Sequence, residues 1–335
     1  MKMQAIVLDG LGGPEVLKMA QVDLPWPRRD TDVLVRLKAA GLNPADSWFR
    51  ANGPYVKSGG PCVLGHDGAG VVEQVGRAVK RVKPGDEVCF CNGGIGADQG
   101  TYAEFAVVPE GQLVAKPKSV SFEQAAALPL VLITAWEALY DRAEVKKDEQ
   151  VLIHAGAGGT GHIAVQLAVL RGARVAATVG SEAKAAFVRG LGVEKPILYR
   201  QADFVAETRA WTGGKGLEVA LDNVGPEIMQ KTFLAMAPYG RIATLMGTPA
   251  DDAEVTAYVQ NLSIHNVMML TPMLLERQDL LDAQARRVEQ GMALLAGGKL
   301  NLHIAATFPL AEIVAAHRQL DAGGATGKIV VRIAE

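Results

Sequence analysis

The sequence predicts an α/β protein made of a β-rich domain and a doubly wound parallel-sheet domain. Three observations carry this reading. Turn-forming residues cut the first third of the chain into short runs of strand character. From Val151 onward, apolar strand-like runs alternate with helical runs. Between the first of those strands and the first of those helices lies Gly156-Ala-Gly-Gly-Thr-Gly161, spaced as G-x-G-x-x-G. At 335 residues, the chain also exceeds the size at which one hydrophobic core stops growing.

In the first third, turns fall at Gly12-Gly13-Pro14, Leu24-Pro25-Trp26-Pro27, Asn43-Pro44 and Pro84-Gly85-Asp86. Residues 5–8, 33–38, 70–75, 87–91 and 101–108 have strand character between them. In Asp32-Val-Leu-Val-Arg-Leu-Lys38, apolar and polar residues alternate as on a half-buried strand. Many short strands of this kind suggest a compact, barrel-like domain.

The texture changes near Ser121, where Ser121-Phe-Glu and an alanine-rich run read as helical. Strands are expected over 151–155, 173–179, 217–221 and 241–245, with helices between them. Such alternation makes a right-handed βαβ series and a parallel sheet. The apolar stretch 263–270 fits an edge strand. Beyond Thr271-Pro272 come a helix over 278–296, ended by Gly297-Gly298, and a tail of strand, helix and strand.

Composition narrows the function. The 34 basic and 36 acidic residues leave a net charge of −2, which gives no electrostatic basis for binding nucleic acid or an anionic membrane. The longest apolar run, 125–136, contains Pro129 and is shorter than the roughly twenty residues a bilayer needs. The N-terminal MKMQAIVLDGLGG has too short an apolar run for a signal-peptide core. Cys62, Cys89 and Cys91 cannot all pair, as expected in a reducing compartment. The expected location is the cytoplasm.

The glycine motif points to a dinucleotide. Gly156 allows the tight turn, Gly158 lets backbone N–H groups approach a pyrophosphate, and Gly161 lets the helix pack close to the strand. The helix N-terminus, with Gly159 and Thr160, supplies unpaired donors and partial positive charge. NAD-binding units usually carry an acid at the end of the second strand. Here that position holds Gly180-Ser181, followed by Glu182 and Lys184. A missing strand-end carboxylate removes repulsion toward a 2′-phosphate, while Ser181 and Lys184 supply a donor and a charge. This favours NADPH, and Glu182 in the acid's part keeps NADH as the alternative.

With these residues in hand, the chain resembles the medium-chain dehydrogenase/reductase superfamily. Within it, the match is to the zinc-independent quinone oxidoreductase, zeta-crystallin-like branch. The resemblance rests on AAGLNPADSWFRANGPY, GHDGAGVVEQVGRAVKRVKPGDEV, LPLVLITAWEAL, VLIHAGAGGTGHIAVQLA, LDNVG and ATGKIVV, in that order. It implies a GroES-like catalytic domain over 1–121 and 271–335 around a Rossmann domain over 122–270, with a cofactor cleft between them. It also implies a homodimer or tetramer joined at the edge strand. By position, Asn43 and Asp46 would lie by the nicotinamide and substrate, and Thr134 at the nicotinamide ribose. Ser181, Lys184 and Tyr199 would surround the adenosine 2′-phosphate. Asn223 would sit beside the cofactor, Met246, Gly247 and Thr248 would flank the nicotinamide, and Lys328 would stand at the cleft's rim.

The segment Pro61-Cys-Val-Leu-Gly-His-Asp-Gly-Ala-Gly70 raises the question of a metal. A catalytic zinc needs three protein ligands and an open position. Zinc-dependent members of the superfamily take a cysteine where this chain has Asn43, the histidine matched by His66, and a second cysteine in the stretch matched by the cysteine-free LPLVLIT. No zinc is expected. His66 then bonds within its glycine-rich turn, lines the substrate pocket, or donates a proton, since imidazole titrates near neutrality; the first is the default. Asn43 is expected to donate to the developing oxyanion.

The expected activity is metal-free hydride transfer from NADPH to a quinone or an α,β-unsaturated carbonyl (enone). The alternatives are a zinc-dependent alcohol dehydrogenase and a crystallin-like protein that binds NADPH without turnover.

Overall fold

The computed structural model describes residues 1–55, 60–96, 100–247 and 254–333. The strands in chain order are β1 (Lys2–Leu8), β2 (Leu17–Asp23), β3 (Asp32–Gly41), β4 (Asp67–Val75), β5 (Glu87–Cys91), β6 (Phe105–Pro109) and β7 (Val114–Ala115). There follow β8 (Gln150–Ile153), β9 (Arg174–Val179), β10 (Lys195–Leu198), β11 (Leu217–Asp222), β12 (Met236–Thr244), β13 (Ser263–Asn266), β14 (Ile304–Pro309) and β15 (Lys328–Arg332). The chain forms two compact units, Met1–Leu130 with Leu270–Glu335, and Val131–Met269.

The first unit is built around a sheet ordered β14-β15-β3-β4-β5-β7. One edge of β3 pairs with β4; the other pairs with β6 along its first half and with β15 along its last residues. The alternation read in the sequence places Val33, Val35 and Leu37 inward, against Val72, Val88, Phe90, Ala106 and Val108. Gly70 lies where β3 and β4 approach most closely: a Cβ there would sit 2.1 Å from the Arg36 carbonyl oxygen. Gly68 and Gly70 are therefore strand residues that relieve crowding, and of the three glycines around His66 only Gly65 shapes a turn, at φ +97°.

Two elements of this unit differ from the expectation. Strand β2, which forms a hairpin with β1, was not predicted. Asn43-Pro44 begins the helix Pro44–Asn52 rather than a simple turn. Proline is favoured at the first helical position, where its missing N–H costs no hydrogen bond. The helix Phe122–Ala127 is capped by Ser121 and packs on β3 and β4. The first unit thus extends past residue 121 to Leu130. Gly41 makes room for this packing, since a Cβ there would lie 2.4 Å from the Ala126 carbonyl oxygen.

The second unit is a six-stranded parallel sheet ordered β10-β9-β8-β11-β12-β13. The chain runs outward from β8 in one direction, then returns to continue from β11 in the other. Leu152, Ala176, Ala220 and Ile242, one from each of four strands, share a core with Met229 and Phe233. The edge strand is β13, which ends at Asn266, four residues before the expected limit. Among the described residues, no helix is long and apolar enough to cross a membrane.

Candidate active site

The first unit gathers a buried polar cluster from four parts of the chain, one of them Tyr102. The helix Pro44–Asn52 brings Asn43 at its cap and Asp46 in its first turn. The turn at Gly65 leads into β4 and brings His66 and Asp67. A Cβ at Gly65 would meet the Thr101 hydroxyl at 2.5 Å, so this turn requires glycine for space as well as for φ. At the start of β15 stands Lys328, after Gly327 at φ +77°.

Asp46 is fully buried and is the hub of one half of the cluster. Its Oδ2 accepts from the Asn43 backbone N–H and from the Tyr102 hydroxyl, each at 2.8 Å. Its Oδ1 lies 2.8 Å from His66 Nδ1. Burial alone would raise the Asp46 carboxyl, but His66, first through its hydrogen bond, and the Tyr102 hydroxyl hold it below its ordinary value. The carboxylate is the acceptor, so His66 Nδ1 carries the proton. His66 Nε2 is buried and has no hydrogen-bond partner among the described residues. The ring stacks on Phe49, with centroids 5.5 Å apart. His66 is thus bonded to the helix, not within its own turn. Tyr102, whose phenol is pushed well above its ordinary value by burial and by Asp46, remains a donor.

Asn43, Asp67 and Lys328 form the other half. Asn43 Nδ2 donates to Asp67 Oδ2 at 2.9 Å and lies 3.4 Å from the Gly41 carbonyl oxygen. Lys328 Nζ donates to the Asn43 amide oxygen and, at 2.7 Å, to the Leu42 carbonyl oxygen. It lies 3.6 Å from Asp67 Oδ2, and Asp67 Oδ1 accepts from the Leu130 N–H at 2.8 Å. Burial pushes Asp67 up and Lys328 down, against the attraction between their charges. Two expected residues lie deeper than the sequence suggests. Lys328 is 3% exposed and is a buried member of the cluster. Asn43 is fully buried, its amide nitrogen bonded to Asp67 and its amide oxygen to Lys328.

In the second unit, the remaining expected residues except Thr134 and Thr248 fall at the carboxyl ends of the parallel strands. The motif follows β8, and Gly158 caps the helix Gly159–Leu170 without any side-chain cap. A Cβ at Gly156 would lie 2.6 Å from that of Ala177, and one at Gly161 would lie 2.2 Å from the Ala155 carbonyl oxygen. At Gly158 the nearest atom to such a Cβ is 3.2 Å away. The fold therefore requires Gly156 and Gly161 far more than Gly158. The first N–H groups of the helix have no intrahelical acceptor.

Ser181 follows β9 and caps the next helix, its hydroxyl accepting from the Lys184 N–H at 3.4 Å. Tyr199 follows β10 and its hydroxyl reaches Gly180: a Cβ there would be 3.2 Å from it and 3.6 Å from Arg200 Nε. Lys184 and Arg200 have no carboxylate partner among the described residues. Sequence reasoning missed Arg200, although it directly follows Tyr199.

Asn223, after β11, donates to the His154 carbonyl oxygen at 2.9 Å and joins the ends of β11 and β8, where the strand order reverses. Met246 is exposed after β12, beside Gly247 at φ +86°. Thr134 lies buried in the helix Pro129–Trp136, which precedes β8. Thr248 lies outside the described residues.

Comparison with known proteins bears on this arrangement. Residues 29–118 match the alcohol dehydrogenase GroES-like domain, and residues 191–331 match a family described as zinc-binding dehydrogenase. A quinone oxidoreductase of Pseudomonas aeruginosa is 34% identical, with 96% of each chain covered. The chain belongs to the medium-chain dehydrogenase/reductase superfamily. A 2-haloacrylate reductase of a Burkholderia species is 33% identical, with 98% of each chain covered. A solved structure described as an NAD-dependent alcohol dehydrogenase is 34% identical, covers 99% of this chain and all of its own, and superposes with a TM-score of 0.89. The two-part fold, GroES-like and Rossmann-like, and the oxidoreductase class follow from these likenesses. Members of this superfamily bind a nicotinamide cofactor.

The zinc in one family description does not fit the donors of this member. A catalytic zinc needs three ligand atoms. The Asn43 amide oxygen faces the Lys328 ammonium, and both Asp46 oxygens accept hydrogen bonds. Burial raises the Cys89 and Cys91 thiols and keeps them protonated. His66 Nε2 is the one uncommitted ligand atom of the described cluster.

Proposed function

We propose that this protein uses NADPH to reduce a quinone or an alkene conjugated to a carbonyl, without a metal. The observation that carries the cofactor reading is the strand-end surface of the second unit. It presents a helix terminus capped only by Gly158 and, at the ends of β9 and β10, Ser181, Lys184, Tyr199 and Arg200, the two cations making no ion pair among the described residues. The helix terminus suits the pyrophosphate. The two cations and two hydroxyls suit a 2′-phosphate better than a bare ribose. Thr134, Asn223, Met246 and Gly247 are assigned to the nicotinamide end.

On the substrate side, the names of the two relatives support an electron-poor acceptor. Such acceptors take a hydride without a Lewis acid, which suits a cluster whose donors do not fit zinc. The bound nicotinamide supplies the hydride. Reduction of the alkene places hydride on the β-carbon and a proton on the α-carbon; reduction of the quinone by one hydride and one proton gives a hydroquinone, in which both added hydrogens end on the oxygens. His66 is assigned the proton. Asp46 holds its Nδ1–H, so Nε2 is the atom that takes up a second proton from water and passes it to the reduced product.

The test is the oxidation of NADPH by 1,4-benzoquinone, a 2-alkenal and 2-chloroacrylate, beside a metal analysis of the purified protein. Turnover of one acceptor class at negligible zinc is expected. Stoichiometric zinc, or no turnover with any acceptor despite tight NADPH binding, sinks the reading.

A further inference from the structure

The helix that carries Asn43 and Asp46 is fastened at its far end by a buried arginine. Arg50 is 5% exposed. Its Nη1 donates to His317 Nδ1 at 2.9 Å, its Nη2 to Asp321 Oδ2 at 2.7 Å, and its Nε to the Gly12 carbonyl oxygen at 3.0 Å. His317 and Asp321 both lie on the helix Ile313–Ala322. The guanidinium only donates, so His317 Nδ1 must be bare. Tyr102 presents an edge-on ring contact to His317, with centroids 5.7 Å apart, and donates its hydroxyl to Asp46. Arg50 and Asp46 are thus linked twice, through one turn of helix and through His317 and Tyr102.

We propose that Arg50, seated on a neutral His317, is a positioning device that sets the place of Asp46 and through it the orientation of His66. The inference rests on the proposed reaction for its kinetic consequence only. The groups facing His317 are Arg50, Asp46, Asp321 and Tyr102. Burial brings the His317 imidazole down to about 4, and Arg50 acts in the same direction while Asp46 and Asp321 oppose it. Above that value the ring accepts from Arg50. Below it the ring is a cation beside a cation, and the fastening opens.

Full-length protein carrying His317→Gln or His317→Leu tests this. Glutamine keeps an oxygen acceptor for Arg50; leucine removes it. With 1,4-benzoquinone as acceptor, His317→Leu is expected to lower kcat by about tenfold or more, as small misplacements of reacting groups do, with the KM for NADPH unchanged. His317→Gln is expected to recover most of that loss and to lack the acid limb expected of the wild type near pH 4. A second readout needs no turnover: in histidine-labelled protein, the hydrogen-bonded Nδ1 proton of His66 persists in His317→Gln and weakens or shifts in His317→Leu. If kcat, pH profile and this proton are the same in both variants as in the wild type, the positioning role is overturned. If the proton responds as expected but the wild type reduces no acceptor, the reaction fails and the positioning role stands.

Discussion

The two units prepare for chemistry by different means. The second does so with backbone: an uncapped helix terminus, a close helix–strand approach, and loops at the ends of parallel strands. The first does so with side chains: Asn43, Asp46, His66, Asp67, Tyr102 and Lys328 satisfy one another in a buried cluster. A backbone site depends on space, so it is broken by added atoms. A side-chain cluster depends on charge and donor count, so it is broken by isosteric replacement.

The largest expected effect tests the role of space. Gly161→Val places a Cβ against a backbone oxygen that cannot swing away. The expected cost is on the order of 3 kcal/mol or more, with loss of the cooperative melt of the second unit. Gly158→Ala meets a single atom at 3.2 Å and is expected to retain the melt while binding NADPH at least tenfold more weakly by fluorescence titration. Equal melts for the two variants would break the distinction between a fold-required and a ligand-required glycine.

The second prediction concerns a buried side-chain cluster in the second unit. His154 Nε2 lies 2.9 Å from the Thr232 hydroxyl, which itself donates to Ile228, and Nδ1 lies 3.2 Å from the Thr178 hydroxyl. Burial brings this imidazole down to about 3 from an ordinary 6.5. The unfolded chain therefore binds the extra proton between those values. The stabilisation is complete above about pH 6.5 and falls away as the pH drops toward 3, by on the order of 4 kcal/mol. Urea unfolding at pH 7.5 and pH 4 is expected to show a steeper loss for the wild type than for His154→Gln. Parallel losses would remove His154 from the account.

The same contrast explains what could be read from the chain. The second unit was legible because its elements are local: a strand, Gly156–Gly161 and a helix are adjacent, and Ser181, Tyr199 and Asn223 each follow their own strand. The helix after Asn43 was hidden because Asn-Pro marks turns and helix starts alike. The first unit's cluster was half legible. Asn43, Asp46 and His66 stood in family-like segments, but their bonds join positions 43, 46, 66, 102 and 328, which the pairing of β3 with β4 and β15 and the bonds of Tyr102 to Leu64 and Ile6 bring together. Arg50, Tyr102 and His317 carried no sequence signal, since a buried arginine and a surface arginine look the same in a helix. Arg200 had a signal, its place at the end of β10, and was overlooked beside Tyr199.

An intermediate effect probes the side-chain cluster. Asp46→Asn keeps the size of the side chain and removes the charge that three donors share. Its amide presents hydrogens where the carboxylate accepted, so His66 Nδ1 or Tyr102 loses its acceptor. The expected loss in kcat is about 10²-fold, the usual size of a proton-transfer contribution, with the KM for NADPH within about twofold of the wild type. An unchanged kcat would separate the Asp46–His66 pair from the reaction altogether.

The smallest expected effect returns to the strand ends, where Arg200 is exposed and Lys184 half-buried, neither in an ion pair among the described residues. Arg200→Ala and Lys184→Ala each remove a cation that has no carboxylate partner among the described residues, so neither is expected to change the melt. Each is expected to raise the KM for NADPH by about tenfold, the worth of one charged hydrogen bond to a phosphate, and to leave the KM for NADH nearly unchanged. The effect should shrink as salt is raised, because exposed charges are screened over roughly 10 Å at 0.1 M. If both cofactors respond equally, the two cations serve the dinucleotide at large and not its 2′-phosphate, and Glu182 then becomes the residue to examine as a partner of the ribose hydroxyls.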